Sequence, residues 1–197
     1  ASLGSRYSHS GYITQITADG TDWLDMPRSP FAVFHGRGLP DEFEIPVGYD
    51  IAAPGEGFVK VGVGVVRRLS ADPYCNWDEH PVLRRADHAV THSRSRVTCE
   101  QHLRAPPYGY RYRKSIAVLG TTQVVIDHLL ANLGHQPLRS EWYSHVFLPR
   151  SLFGSTAWLQ LPTTFVADPA DDLQSTRSGY RLDVNGPSAS AEGACHH

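Results

Sequence analysis

The stretch Glu141–Leu148 carries the side chains of this sequence that are best suited to chemistry. It reads Glu-Trp-Tyr-Ser-His-Val-Phe-Leu. On a β-strand alternate side chains point to opposite faces, so one face would carry Glu141, Tyr143, His145 and Phe147. A sugar site needs an aromatic ring to stack on, polar groups for hydroxyls, and a titratable acid or base. This face offers all three.

His145 is the candidate for proton transfer, because an imidazole with its ordinary pKa of about 6.5 gives and takes a proton near neutrality. A hydrogen-bonded structural histidine is the alternative that the pattern leaves open. The opposite face of the same strand would carry Trp142, Ser144, Val146 and Leu148, and it is predicted to belong to the core.

Strands are predicted over most of the chain. Valines at every second position of Phe58–Val66, with Lys60 and two glycines between them, have the period of a half-buried strand. Asp19-Gly20 after the β-prone run Tyr12–Thr17 indicates a hairpin. Further strands are predicted at Phe31–Phe34, Ala89–Cys99, Tyr108–Leu119 and Arg139–Leu148.

The segment Gln123–Leu133 fits two patterns. Its apolar residues are spaced nearly as in a helix, and Gly134 follows as a helix cap would. The β-branched run Val124–Ile126 favours a strand instead. On that strand His128 would share a face with apolar neighbours, which favours a satisfied core histidine over a functional one.

Alternation along Tyr108–Leu119 would place Tyr108, Tyr110, Tyr112 and Lys114 on one face and Arg111 with Arg113 on the other. This aromatic and basic stripe could stack a sugar or hold a phosphate, since guanidinium groups fit phosphate oxygens. An exposed cross-strand ladder explains the pattern equally well. A phosphorylated hexose is therefore one possible substrate.

Composition bounds the function. The net charge of −2 gives no basic field for nucleic acid or an anionic membrane. The three cysteines, Cys75, Cys99 and Cys195, are odd in number and widely spaced, and they are predicted to be free thiols.

No apolar run is long enough to cross a bilayer, which predicts a cytoplasmic protein. One domain is predicted over residues 1–182, with a flexible tail at 183–197.

The sequence resembles the aldose 1-epimerase (galactose mutarotase)-like family in three blocks that occur in the same order: Tyr110–Ile116, Val125–Gly134 and Glu141–Phe147. That family has a Tyr-x-Tyr-x-Lys strand, an Ile-x-His-x-Leu-x-Asn strand and a Tyr-Asn-His-Asn-Phe strand in this order. Upstream, Gly38–Phe43 and Gly55–Val65 are similar to its earlier strands. The resemblance covers residues 6 to 150 and implies an all-β galactose mutarotase-like supersandwich of antiparallel sheets, incomplete at the C-terminus.

The resemblance also implies a mechanism. In the family the histidine of the Asn-His motif protonates the ring oxygen of the sugar, and a glutamate takes the proton of the anomeric hydroxyl. His145 occupies the position of that acid, and no metal or organic cofactor is required. Ser144 and Val146 stand where asparagines are common. The chain ends before the strand that supplies the family's glutamate.

Candidates for the missing base are Glu42 and Glu141, of which Glu42 is predicted to be catalytic. Residues predicted to bind substrate are His35, Tyr112, Lys114, Glu141 and Tyr143. The predicted function is interconversion of sugar anomers, with a hexose or hexose derivative as partner and with neither nucleic acid nor membrane. The alternative is a non-catalytic carbohydrate-binding or interaction module on the same fold.

Overall fold

A computed structural model describes residues 4–25 and 37–149 fully, and beyond them the backbone of three short strands. The described residues contain no helix, and every strand pairing among them is antiparallel. The predicted all-β class with antiparallel sheets is therefore confirmed. None of the described residues forms a helix long and apolar enough to cross a membrane.

The strands of the described residues are β1 Thr17–Ala18, β2 Thr21–Asp22, β3 Asp41–Phe43, β4 Gly57–Lys60, β5 Gly64–Arg67, β6 Val82–Arg85, β7 Asp87–His92, β8 Arg96–Ala105, β9 Tyr108–Leu119, β10 Gln123–Asn132, β11 Trp142–Ser144, β12 Thr156–Leu159, β13 Leu173–Thr176 and β14 Gly179–Asp183. The largest sheet has the order β10-β9-β8-β7, and a second sheet has the order β4-β5-β6. Two-stranded ribbons are formed by β1 with β2 and by β3 with β11.

The chain forms two compact units that divide between Phe147 and Leu148. The second unit contains the sheet β12-β14-β13. The extent of a single domain over residues 1–182 stays a prediction. The predicted strand Phe31–Phe34 lies outside the described residues, as does the predicted tail beyond Asp183, the last residue of β14.

The core of the first unit lies between its two larger sheets. Val59 of β4 packs in one buried cluster with Leu103 of β8 and with Tyr110 and Tyr112 of β9. The other face of β4 contributes Phe58 to a second buried cluster. Two antiparallel sheets that share a core are consistent with a β-sandwich.

Several strand predictions are confirmed. Strand β9 has the predicted bounds, and β10 covers the segment whose pattern also allowed a helix. The hairpin β1–β2 turns at Asp19 and Gly20, which have φ of 50° and 74°. Two consecutive residues with positive φ form the type I′ turn that an Asp-Gly pair favours.

Two predicted strands are each a hairpin, so these predictions are wrong. Phe58–Val66 divides into β4 and β5, because Gly62 reverses the chain with φ of 83°. The period of two continues through this turn, which hides the reversal. Ala89–Cys99 divides into β7 and β8 around Ser93–Ser95.

The cysteines differ from one another. Cys99 is a buried free thiol, and burial raises its pKa, with an opposing effect from the Lys114 ammonium. Cys75 is disulfide-bonded, so the prediction of a free thiol is wrong at this position. Cys195 lies outside the described residues.

Candidate functional site

The ribbon of β3 and β11 positions the residues that the sequence singled out. Tyr143 pairs with Glu42, and Ser144 pairs with Asp41. Beyond the strand ends the ribbon continues, because His145 N donates to Pro40 O at 2.8 Å. Paired residues share a face of an antiparallel ladder, so the ribbon has one face with Glu42 and Tyr143 and an opposite face with Asp41 and Ser144.

Glu42 is the centre of a buried polar cluster. Its side chain is fully buried, and its oxygens accept hydrogen bonds from three groups: Arg6 Nε at 3.0 Å, Tyr143 Oη at 2.5 Å and Asn76 Nδ2 at 3.3 Å. Lys60 Nζ lies 3.8 Å from the carboxylate. We call Arg6, Glu42, Lys60, Asn76 and Tyr143 the Glu42 cluster.

Arg6 is held over two aromatic rings. Its guanidinium carbon lies 4.2 Å from the ring centroid of Trp77 and 4.9 Å from that of Tyr7. A guanidinium that stacks on aromatic rings while it binds a carboxylate has a fixed orientation. No pattern in the sequence indicates this pair, because Arg6 and Glu42 lie 36 residues apart.

Lys60 lies between two valines in the sequence, and its side chain is almost completely buried. Its Nζ donates to Glu44 O at 3.0 Å and to Tyr74 Oη at 2.9 Å. Burial lowers the pKa of Lys60 to about 8, although the negative charges of Glu42 and Glu44 oppose this effect. A charged residue at an otherwise apolar strand position is the signal that could have placed Lys60 in the site.

His145 lies beside this cluster and is half-buried. Its ring stacks on Phe147 with centroids 4.4 Å apart and planes 6° apart, and the Tyr143 ring lies 5.7 Å away. Burial lowers the pKa of His145; the positive charge of Arg6 lowers it further, and Glu42 acts in the opposite direction. The imidazole is therefore largely neutral at pH 7.

Tyr143 connects the buried carboxylate to the half-buried part of the site. Burial raises the pKa of Tyr143, and its hydrogen bond to Glu42 raises it further. The phenol of Tyr143 therefore stays protonated and donates a hydrogen bond to the Glu42 carboxylate. A hydroxyl that donates to a carboxylate can accept a hydrogen bond on its own oxygen, which is the arrangement that a proton relay through Tyr143 to Glu42 requires.

The predicted catalytic residues Glu42 and His145 are thus on the same side of the ribbon. Glu42 reaches this surface only through Tyr143, because its own side chain has no exposed area. Glu141 is exposed, and its carbonyl accepts a hydrogen bond from Glu44 N. The predicted sugar contact His35 lies outside the described residues.

The opposite face of the ribbon holds a second buried carboxylate. Asp41 Oδ2 accepts a hydrogen bond from Lys114 Nζ at 2.5 Å, and Asp41 Oδ1 accepts one from Ser144 Oγ at 2.5 Å. Lys114 and Tyr112 are fully buried. The alternative of an exposed cross-strand ladder therefore does not hold for Tyr112 and Lys114, and the ion pair with Asp41 does not favour Lys114 as a phosphate ligand.

The prediction of Trp142, Val146 and Leu148 as core residues is also wrong, because their side chains are 43–51 % exposed. Only three residues of the predicted strand Arg139–Leu148 form β11. His128 is half-buried rather than part of the core, although its Nδ1 is hydrogen-bonded to Tyr112 Oη at 2.8 Å.

Comparison of this chain with protein-family models, with curated proteins and with solved structures gives no match.

Proposed function

We propose that this protein interconverts the anomers of a small sugar by acid–base catalysis at the face of the ribbon that carries Tyr143 and His145. The observation that carries the proposal is the hydrogen bond of 2.5 Å between Tyr143 Oη and the buried Glu42 carboxylate, on the same face as His145. Anomer interconversion needs one group that takes a proton and one that gives a proton. The resemblance to the mutarotase-like family supports the acid role of His145, while the role of Tyr143 and Glu42 as the base rests on the hydrogen bond alone.

The proton transfers balance without a cofactor. His145, in its imidazolium form, donates a proton to the ring oxygen of the sugar. Tyr143 Oη accepts the proton of the anomeric hydroxyl, while its own proton passes to the Glu42 carboxylate. The bond between the anomeric carbon and the ring oxygen breaks and leaves an open-chain aldehyde. Closure on the other face of the carbonyl reverses every transfer and gives the other anomer.

Positioning is assigned to the rest of the cluster. Arg6 fixes the carboxylate by its hydrogen bond at 3.0 Å, and its own position is fixed by the Trp77 ring. Phe147 stacks on the imidazole and limits its rotation. A proton relay is efficient only when its members are held within hydrogen-bonding distance, and these contacts provide that restraint.

The test is the rate of α-to-β interconversion of glucose and of galactose, measured by polarimetry or NMR. We expect His145→Ala to lower the catalysed rate about 10²- to 10⁴-fold, the usual contribution of a general acid. The matched control is His92→Ala, which removes an exposed histidine on β7. Equal rates for wild type and buffer, or equal losses in the two variants, would contradict the proposal.

The pH dependence tests the role of His145 separately. An acid must be protonated, and the pKa of His145 is lowered below its ordinary value of about 6.5. We therefore expect kcat/KM to fall as pH rises through a pKa below 6.5. A kcat/KM that rises with pH over the same range would instead identify His145 as the base.

A second function is favoured by one observation. The Glu42 carboxylate is fully buried and accepts bonds from Arg6, Asn76 and Tyr143, as expected of a purely structural carboxylate. On this basis a non-catalytic carbohydrate-binding module is the competing proposal. Sugar binding by calorimetry together with an interconversion rate equal to that of buffer would select it.

A further inference from the structure

The ribbon of β3 and β11 has a cavity on the face opposite His145. The cavity has a volume of about 270 Å³, and among its lining residues are Phe43, Tyr112, His128, Leu130, Leu138 and Trp142. Phe43 and Trp142 are neighbours in the ribbon, on the face opposite Glu42 and Tyr143. Tyr112 is one of the predicted sugar contacts, but the proton transfers proposed above use none of these residues. Because the cavity lies on the opposite face from Tyr143 and His145, we treat it as a separate site.

Aromatic rings form much of its wall. The rings of Phe43 and Tyr112 meet edge to face with centroids 5.1 Å apart. The His128 ring lies 4.6 Å from the Trp142 ring and is tilted by 57°. Trp142 is 43 % exposed, so one of these rings remains accessible from solvent. An additional ring can pack against such a wall with an edge-to-face or offset arrangement.

The hydrogen bond between Tyr112 and His128 determines which imidazole nitrogen carries the proton. Tyr112 is fully buried, and among the described residues its hydroxyl bonds only to His128 Nδ1, at 2.8 Å. A buried hydroxyl proton requires an acceptor, so Tyr112 donates and Nδ1 accepts. The proton of the neutral imidazole is then on Nε2, which is left as a donor for a bound oxygen atom.

The charge of the cavity selects the ligand. None of its eight lining residues is acidic, and none is Lys or Arg. Burial lowers the pKa of His128, with opposing effects from nearby charged groups, so its ring is largely neutral at pH 7. An ion would lose part of its hydration in this half-open cavity without gaining a charged partner, which is unfavourable. The ligand is therefore uncharged.

We propose that this cavity binds a small, uncharged aromatic ring that carries a hydroxyl group, of which phenol is the simplest example. The ring packs against Trp142 and Phe43, and the hydroxyl oxygen accepts the proton of His128 Nε2. An enclosed cavity of about 150 Å³ with apolar walls is enough to hold benzene, whereas this cavity is partly open to solvent, since Leu130 and Trp142 are 39 % and 43 % exposed. The volume of about 270 Å³ leaves room for a ring with one polar substituent.

The experiment is a calorimetric or NMR titration of the full chain with phenol at pH 7. We expect saturable binding, with benzoate and cyclohexanol binding at least about tenfold more weakly, because benzoate is charged and cyclohexanol lacks an aromatic face. Comparable binding of benzoate would overturn the proposal, as would the absence of saturable binding to phenol.

Variants locate the site. Trp142→Ala should weaken phenol binding about three- to tenfold, and His128→Leu by a similar factor, because each removes one contact. Trp23→Ala is the control, since Trp23 is also exposed and lies outside this cavity. Equal binding by Trp142→Ala and the wild type would overturn the proposal. Trp142 and His128 are both partly exposed, so we expect the two variants to fold. Circular dichroism checks that they do.

The sugar activity distinguishes the two proposals. Phenol at saturation should leave the anomer interconversion rate unchanged, because the cavity faces away from His145. Weaker phenol binding by Trp142→Ala, together with an interconversion rate equal to that of the wild type, would support both proposals independently. Competitive inhibition of sugar interconversion by phenol would indicate that phenol binds in the sugar site, and it would overturn the proposal of a separate phenol site.

Discussion

Two consecutive carboxylates of β3 are buried on opposite faces of one ribbon, and each has a lysine. Within the described part of the chain, Asp41 has one close cation, Lys114, at 2.5 Å. Glu42 lies 3.0 Å from Arg6 and 3.8 Å from Lys60. Asp41 and Lys114 form a buried ion pair. The Glu42 carboxylate is instead shared among several donors, one of which, Tyr143, is half-buried and lies on the face that carries His145.

The difference shows how a site can be distinguished from a structural ion pair. The sequence contains only two lysines among its 18 basic residues, and each of them is buried beside one of these carboxylates. Burial by itself therefore does not identify function. Both carboxylates also accept a hydrogen bond from a half-buried hydroxyl, Tyr143 for Glu42 and Ser144 for Asp41. The distinguishing feature is that Tyr143 lies on the face that carries His145, whereas Ser144 lies on the opposite face.

The largest expected effect comes from removing each lysine. Lys114→Met leaves Asp41 buried without a cation, which should lower the free energy of unfolding by about 3–5 kcal/mol. Lys60→Met should cost clearly less, because Arg6 remains bonded to Glu42. Urea unfolding followed by fluorescence measures both values. Equal losses would show that the two carboxylates depend on their lysines to the same degree.

A smaller effect is expected when each carboxylate loses its hydroxyl partner. Tyr143→Phe and Ser144→Ala each remove one hydrogen bond to a charged group, which should cost about 1.5–3 kcal/mol of stability. Only Tyr143→Phe should also lower the anomer interconversion rate, by about 10²-fold or more, since it removes the proton relay. A matching loss of rate in Ser144→Ala would indicate that either substitution simply distorts the ribbon.

The change in stability expected per pH unit is smaller again. The pKa of Lys60 is lowered by burial to about 8, so above pH 8 the unfolded chain binds more protons at this residue than the folded one does. Stability should therefore rise with pH from about 8 towards 10, by at most about 1.4 kcal/mol per pH unit. Above pH 10 the raised pKa values of buried tyrosines such as Tyr74 and Tyr110 reverse the slope.

Lys60→Met is the control for this pH dependence. Its stability should not rise between pH 8 and 10, because the group that titrates in this range is gone. Chemical unfolding at several pH values compares the variant with the wild type. The same increase in both proteins would assign the effect to another group.

The sequence predicted the long strands well. β9 and β10 have uninterrupted patterns bounded by Pro107, Gly120 and Gly134, so composition and period agree there. The hairpin around Gly62 was missed because the valines on both sides of the turn keep the same spacing. A period of two records which face a residue occupies, and it does not record a reversal of the chain.

The candidate site was predicted only in part. Tyr143 and His145 are local to one segment, so alternation placed them on the same face correctly. The contacts of Glu42 with Arg6 and Tyr143 join residues 36 and 101 positions apart. Such contacts depend on how the sheets assemble, and no spacing rule encodes them. The resemblance to the mutarotase-like family stays a prediction.

The adjacent positions of Asp41 and Glu42 in the sequence also favour the observed register of β3 against β11. Sliding β3 by one residue turns every side chain to the other face. One direction of the slide would bring Phe43 against Lys60 and Arg6, and the other would bring Pro40 against Lys114. Either error leaves a buried cation without the carboxylate that faces it in this register, which is strongly destabilising.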